Sequence, residues 1–131
     1  MINQEIPDSF HDLLDTPIPV ALATVGPNGY PQVTYIWVIR EGNTLVTSFT
    51  EARQKTKNLR ARPQATVFVV DPGNPYRTLE IRGDVTITPD PELATITRVL
   101  TAYGSTLETF KGPLDDRVTV VLTPTRVVTQ G

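Results

Sequence analysis

The chain has 131 residues, 12 basic against 14 acidic side chains for a net charge of −2, no cysteine and a single histidine. That length fits one domain with its own core, read here as spanning residues 1–131. The composition excludes disulfide scaffolds, thiolate metal sites, cysteine nucleophiles and any site needing two histidines of one chain. The charge balance offers no general field to nucleic acid, and no apolar run approaches the ~18 residues of a membrane span. Residues 1–10 lack a basic stretch followed by an apolar one, so a cytoplasmic location is expected.

In chain order, residues 7–14 read as a short helix with Phe10, Leu13 and Leu14 on one face. Residues 20–25 form a first strand, and Gly26-Pro27-Asn28-Gly29 supplies the turn chemistry of a hairpin. A long second strand is expected over 30–40, a tight turn at Glu41-Gly42-Asn43, and a third strand over 44–49. Residues 51–62 change to helix formers, with Thr50 placed to cap them and Pro63 to end them. Strand four, 64–70, is apolar enough to predict burial on both faces. A loop follows at 71–75. Over 76–88 Leu79, Ile81, Gly83, Val85 and Ile87 alternate with polar residues, and Gly83 predicts a bulge or barrel bend. Asp90-Pro91 reads as a helix start, Leu93, Ile96, Leu100 and Tyr103 as its apolar face, and Gly104 as its end. The last strand, 118–128, is interrupted at Pro124. Six strands, three of them in an early meander, predict a small antiparallel barrel with a few helices.

One segment stands out chemically. Five of the 12 basic residues lie between Arg53 and Arg62, on an otherwise acidic chain. A strand ends there and a helix begins, so unpaired N–H groups with partial positive charge are expected beside the hydroxyls of Thr47, Ser48 and Thr50. With Arg53 and Lys55 following, that set suits a phosphate. Tyr35, Trp37 and Phe49 could supply a flat apolar wall for a phosphorylated ring cofactor. The plainer alternative is a solvated helix face, which fits Lys57, Arg60 and Arg62 best. His11 reads as a surface residue, Trp37 equally as barrel core, and Glu80 with Arg82 as a pair across strands.

Three groups of residues resemble the split β-barrel flavin- and deazaflavin-binding proteins related to pyridoxamine 5'-phosphate oxidase. They are Gly29-x-Pro31 followed by Trp37; Arg53-x-Lys55-x-x-Asn58-Leu59 closed by Arg62-Pro63; and Val69-Val70-Asp71-Pro72-Gly73-Asn74-Pro75-Tyr76 followed by Glu80-x-Arg82-Gly83. The resemblance runs from about residue 20 to residue 103. It implies a six-stranded split barrel that forms a homodimer with two cofactor sites at the interface. It also implies that Arg53 and Lys55 hold the cofactor phosphate with help from Ser48 and Asn58. Gln32, Val33 and Thr34 would lie along the ring system, and Trp37, Pro75, Tyr76 and Arg77 would line the site.

The short chain, the loop at 71–76 and an arginine-to-lysine ratio of nine to three resemble the actinobacterial branch that uses the deazaflavin F420. The C-terminal Arg-Leu-x-Pro segment of the vitamin-forming oxidases is absent. The expected function is therefore an F420-dependent oxidoreductase passing a hydride to an unsaturated small-molecule substrate. The alternatives are an FMN-dependent enzyme of the same fold and a non-catalytic cofactor-binding protein.

Overall fold

The computed structural model describes residues 4–131. Residues 1–3, part of the stretch read above for a targeting signal, lie outside the described residues. A 3-10 turn (Asp8–Phe10) and a one-turn helix α1 (Asp12–Asp15) replace the single helix expected there, and they bury Phe10, Leu13 and Leu14 as the pattern predicts. The remaining elements are β1 (Val20–Val25), β2 (Pro31–Ile36), β3 (Ile39–Glu41), β4 (Thr44–Thr50), α2 (Gln54–Ala61), β5 (Gln64–Asp71), β6 (Asn74–Pro89), α3 (Ala94–Ala102) and β7 (Arg117–Gln130). None of these helices is long and apolar enough to cross a membrane.

All seven strands belong to one antiparallel sheet in the order β2-β1-β5-β6-β7-β4-β3. The two edge strands, β2 and β3, are consecutive in the chain. The sheet must therefore curl until its edges meet, and the link at Trp37-Val38 closes it into a split barrel. The core follows from strand alternation. Leu22, Val67, Ile81 and Val127 stand side by side on β1, β5, β6 and β7, and Leu45, Leu122 and Val85 on β4, β7 and β6. All of these are buried.

The sheet has seven strands where six were expected, because the stretch 30–40 breaks at Trp37-Val38. The hydrogen bonds of that break go to side chains instead of a strand partner. The Val38 N–H donates to the Tyr103 hydroxyl (3.2 Å), and the Trp37 carbonyl accepts from Thr47 Oγ1 (2.7 Å).

Strand four also departs from expectation. Ala65, Val67 and Val69 face the core, but Phe68 and Val70 point outward and are exposed. An antiparallel sheet needs cover on only one face, and an apolar run does not reveal which. Gly83 behaves as the sequence predicts. The register of β6 against β7 shifts between Arg82 and Gly83, leaving Thr125 as an extra residue, and a Cβ on Gly83 would lie 2.4 Å from the Thr123 carbonyl oxygen.

Helix α3 begins at Ala94, later than Asp90-Pro91 indicated, because Leu93 adopts a left-handed conformation (φ 62°) ahead of it. Asp90 still caps it from a distance: its carboxylate accepts from the N–H groups of Ala94 and Thr95 at 2.9 and 3.0 Å. Gly104, at φ 75°, ends the helix as expected.

Candidate functional site

Strand β4 runs through Thr50, and a turn at residues 51–53 leads into α2. Thr50 is therefore not the cap of that helix. Arg53 occupies that position in extended conformation, and the Thr50 carbonyl instead accepts the Arg53 N–H (3.3 Å) and the Thr56 hydroxyl (2.7 Å). These bonds pin the helix start to the strand end. They bring Arg53 and Lys55 to the mouth of a cavity of about 390 Å³ beside β4.

Lys55 is only 6 % exposed. Its ammonium donates to Thr34 Oγ1 at 3.0 Å and lies 4.9 Å from the centre of the Phe49 ring. Burial, with the charge of Arg53 adding to it, lowers its pKa from 10.5 to about 8. Arg117, at the start of β7, lines the same cavity. Its Nε donates to the Pro113 carbonyl (3.0 Å), and its guanidinium lies 5.1 Å from the centre of the Phe110 ring. Burial also lowers its pKa, again with Arg53 contributing and Asp90 opposing. It stays charged at any working pH.

None of these three cations forms a salt bridge with a carboxylate among the described residues, whereas Arg40, Arg60, Arg77, Arg82 and Arg98 all do. Three cations without a carboxylate partner, Lys55 and Arg117 of them buried, converge on one cavity and make an anion site. The residues fit the phosphate of a cofactor.

The rest of the cavity is largely apolar. Ile96, Val99 and Leu100 of α3 line it, as do Phe49, Ile36 and Trp37. Trp37 is fixed by stacking on Tyr103, with ring centres 4.6 Å apart and planes 5° from parallel. The Tyr103 hydroxyl donates to the Ile18 carbonyl (3.0 Å), which locks the pair.

The sequence-nominated residues separate into three places. Trp37, Thr47, Ser48, Phe49, Arg53 and Lys55 line this cavity, and Thr34 reaches it by holding Lys55. Within that group, the Thr47 hydroxyl is already used on the Trp37 carbonyl. Gln32 and Asn58 sit further along the groove between β2 and α2. There Asn58 Nδ2 donates to Thr24 Oγ1 (3.0 Å) and to Gln32 Oε1 (3.4 Å), while its oxygen accepts from Gln54 (2.8 Å). Val33, 63 % exposed, points to the outside of β2.

Pro75, Tyr76 and Arg77 belong to the β5–β6 hairpin. Pro75 lines a second, outer cavity of about 630 Å³ that shares Tyr35 and Trp37 with the first. Tyr76 is exposed. Arg77 is bound to Asp12 (2.6 Å) and Asp71 (3.0 Å) and covers Phe10, so it ties the N-terminal turn to the hairpin. Elsewhere, Glu80 and Arg82 pair with each other along one strand (2.5 Å), and His11 contacts the Ile6 carbonyl (3.0 Å).

Sequence reading missed Arg117, Phe110 and the α3 residues of the wall. The one local signal was a lone arginine between the Asp115-Asp116 turn and an apolar strand.

A curled antiparallel sheet closed into a barrel, with a cationic, aromatic-walled cavity where β4 meets α2, defines a split β-barrel of the flavin-binding type. The chain matches the pyridoxamine 5'-phosphate oxidase family over residues 6–131 and belongs to that family. Among solved structures, an F420 reductase is 40 % identical, with a TM-score of 0.85 over 94 % of this chain and 98 % of that one. A conserved hypothetical protein from Mycobacterium tuberculosis is 22 % identical, with a TM-score of 0.73 over 98 % of this chain and 86 % of that one. The heme storage protein of Vibrio cholerae shares the fold at 16 % identity, with a TM-score of 0.69 over 97 % of this chain and 96 % of that one. No curated protein matches the chain.

Proposed function

We propose that the chain is an F420-dependent oxidoreductase that passes a hydride from reduced deazaflavin to an electron-poor double bond in a small organic substrate. It works as a cytoplasmic homodimer of single-domain subunits, with two cofactor sites at the interface. The observation that carries this reading is the pairing of Arg53 and Lys55, two cations without a carboxylate partner among the described residues, with an adjacent apolar and aromatic cavity. The 40 % identity to an F420 reductase supports the deazaflavin over other ring cofactors.

In this reading Arg53 and Lys55 take the phosphate and set the position of the arm. Thr34 holds Lys55 in reach, and Phe49 and Trp37 form the wall against which a flat ring lies. The cofactor supplies the hydride when bound. The protein's part is to orient it and to exclude water, which the apolar side chains of α3 do from below. No acid–base dyad is found among the described residues that line the cavity, and a hydride acceptor whose proton comes from solvent or from a hydroxyl such as that of Tyr35 or Tyr76 needs none.

The dimer is supported by the outer face of β2, β1 and β5. Val33, Tyr35, Phe68 and Val70 are all exposed there. Tyr35 and Phe68 both face Ala21 across the strands. A contiguous apolar patch of this kind marks an interaction surface, and the outer cavity at Tyr35, Trp37 and Pro75 would then lie against the second subunit.

FMN is the second reading, favoured by membership of the pyridoxamine 5'-phosphate oxidase family. Titration of the purified protein with F420 and with FMN, following each cofactor's fluorescence, separates the two. Micromolar or tighter binding of F420 with weak FMN binding is the expected result. The reverse moves the protein to the flavin enzymes, and binding of neither removes the cofactor reading. Reoxidation of bound reduced F420 across a panel of quinones and enones then tests for an enzyme against a carrier.

A further inference from the structure

Arg117 is 9 % exposed and occupies the first position of β7, directly opposite Thr50 in the ladder. A guanidinium that deep gives up most of its hydration and is ordinarily faced by a carboxylate. Here its hydrogen bonds go only to neutral acceptors among the described residues. Nε donates to the Pro113 carbonyl at 3.0 Å, and Nη1 donates to the carbonyl and hydroxyl of Ser48 at a long 3.4 Å each. The other Nη donates to no described residue. Asp90, the acidic group nearest in effect, is committed to the N–H groups that start α3.

The position of Arg117 differs from that of Lys55. Lys55 is tethered to Thr34 on β2. Arg117 is tethered instead to Ser48 and Pro113, with its guanidinium over the Phe110 ring. Arg53 is exposed, belongs to neither tether, and stands close enough to act electrostatically on both. The three cations therefore line one cavity, Lys55 and Arg117 held by separate tethers and Arg53 within electrostatic reach of both. A single phosphate seated on Lys55 leaves the unpaired edge of Arg117 unanswered.

We infer that the cavity holds two anion positions in series, with Arg117 forming the second, so that the ligand's arm carries two separate negative groups. The first group sits on Lys55 and Arg53 and rests on the cofactor reading above; the second sits between Arg53 and the free Nη edge of Arg117. This selects among cofactors by charge spacing. The F420 arm carries a phosphodiester followed by carboxylates, and both positions are filled. The FMN arm ends in one phosphate monoester, and Arg117 stays unpaired.

The test compares wild type with Arg117→Met, which keeps a long apolar side chain against Phe110, and with Arg117→Lys, which keeps charge but loses the fork. Each is titrated with F420 and with FMN, with circular dichroism to establish folding. Arg117→Met is expected to weaken F420 binding by about tenfold or more and FMN binding by less than about threefold, as loss of one charge-assisted contact to only one of the ligands requires. Arg117→Lys is expected to fall between, and it carries the test alone if Arg117→Met does not fold. Equal losses for both cofactors, or no loss for either, overturn the inference. If wild type binds neither cofactor, the cofactor reading fails by itself. Inorganic pyrophosphate against inorganic phosphate, followed by the fluorescence of Trp37, then decides the role of Arg117. A pyrophosphate preference that Arg117→Met abolishes supports two positions, and the lack of any preference overturns them.

Discussion

The Lys55 ammonium donates to the Thr34 hydroxyl at 3.0 Å, and this bond joins the start of α2 to the edge strand β2 across the mouth of the cavity. A neutral hydroxyl is the only hydrogen-bond partner it has among the described residues, and with the Phe49 ring as its other contact no opposite charge there offsets the loss of water. Its pKa of about 8 follows from that burial and from Arg53.

The consequence for pH has a definite sign. Below about pH 8 Lys55 carries its charge and attracts the cofactor's anionic group; above it the amine is neutral and that attraction is lost. Affinity is expected to be flat from pH 6 to pH 7 and to fall by up to about tenfold for each pH unit above 8. Lys55→Arg, charged throughout this range, should flatten the profile even where it lowers affinity overall. Fluorescence titrations at pH 7 and pH 9.5 with both proteins check it. A wild-type affinity that does not change over that interval would remove Lys55 from the phosphate contact.

A second prediction concerns Gly83. A methyl group there would press on the Thr123 carbonyl oxygen at 2.4 Å and on the Leu122 side chain at 2.6 Å. Backbone cannot yield as a flexible side chain can, so the two strands must separate at the bulge. Gly83→Ala is expected to destabilise the fold by about 2–3 kcal/mol, at the upper end of overpacking effects. Urea denaturation with an unchanged slope and a lower midpoint is the signature. A change below about 0.5 kcal/mol would mean that the bulge adjusts freely.

Much of the barrel was legible because alternation is a local signal. Residues 20–25 were legible as a strand, residues 76–88 declared their inward face, and Gly83 declared the bulge. The break at Trp37-Val38 was not legible, since it depends on Tyr103, 65 residues away, offering a hydroxyl to the Val38 N–H. For the same reason an apolar run could not reveal that Phe68 faces outward. At the site, Arg53 and Lys55 could be nominated because they cluster in sequence beside a strand end. Arg117 joins them only through the pairing of β4 with β7, which brings it opposite Thr50. Thr50 itself was misread as a cap because a serine- or threonine-led helix start and a strand followed by a short turn look alike until the turn is seen.

Tyr103 supplies a third prediction. Its hydroxyl accepts from the Val38 N–H and donates to the Ile18 carbonyl, while its ring carries Trp37. Tyr103→Phe keeps the stack and removes both hydrogen bonds, leaving one donor and one acceptor without their partner. The expected loss is about 1–3 kcal/mol of stability, with Trp37 fluorescence shifting as the Trp37-Val38 link loosens. Because Trp37 lines the cavity, cofactor affinity should weaken as well. Unchanged stability would indicate that water replaces both bonds.

The last prediction addresses assembly. Tyr35 is 79 % exposed, yet it belongs to a face where Val33, Phe68 and Val70 are also bare. Lone exposed aromatics are ordinary, but a paired set on neighbouring strands is not. If that face is covered by a second copy, a charge placed there must be desolvated on association, and the two-fold symmetry of a dimer applies the penalty twice. Tyr35→Glu combined with Phe68→Glu is expected to yield a monomer at micromolar concentration by analytical ultracentrifugation, while wild type sediments as a dimer. Neither residue belongs to the buried core, so thermal unfolding of the isolated subunit should remain cooperative. Cofactor binding should fall with dissociation, since Tyr35 lines both the cation cavity and the outer cavity beside it. A double variant that stays dimeric would place the interface elsewhere on the barrel. One that becomes monomeric with full cofactor affinity would place the whole cofactor site within a single subunit.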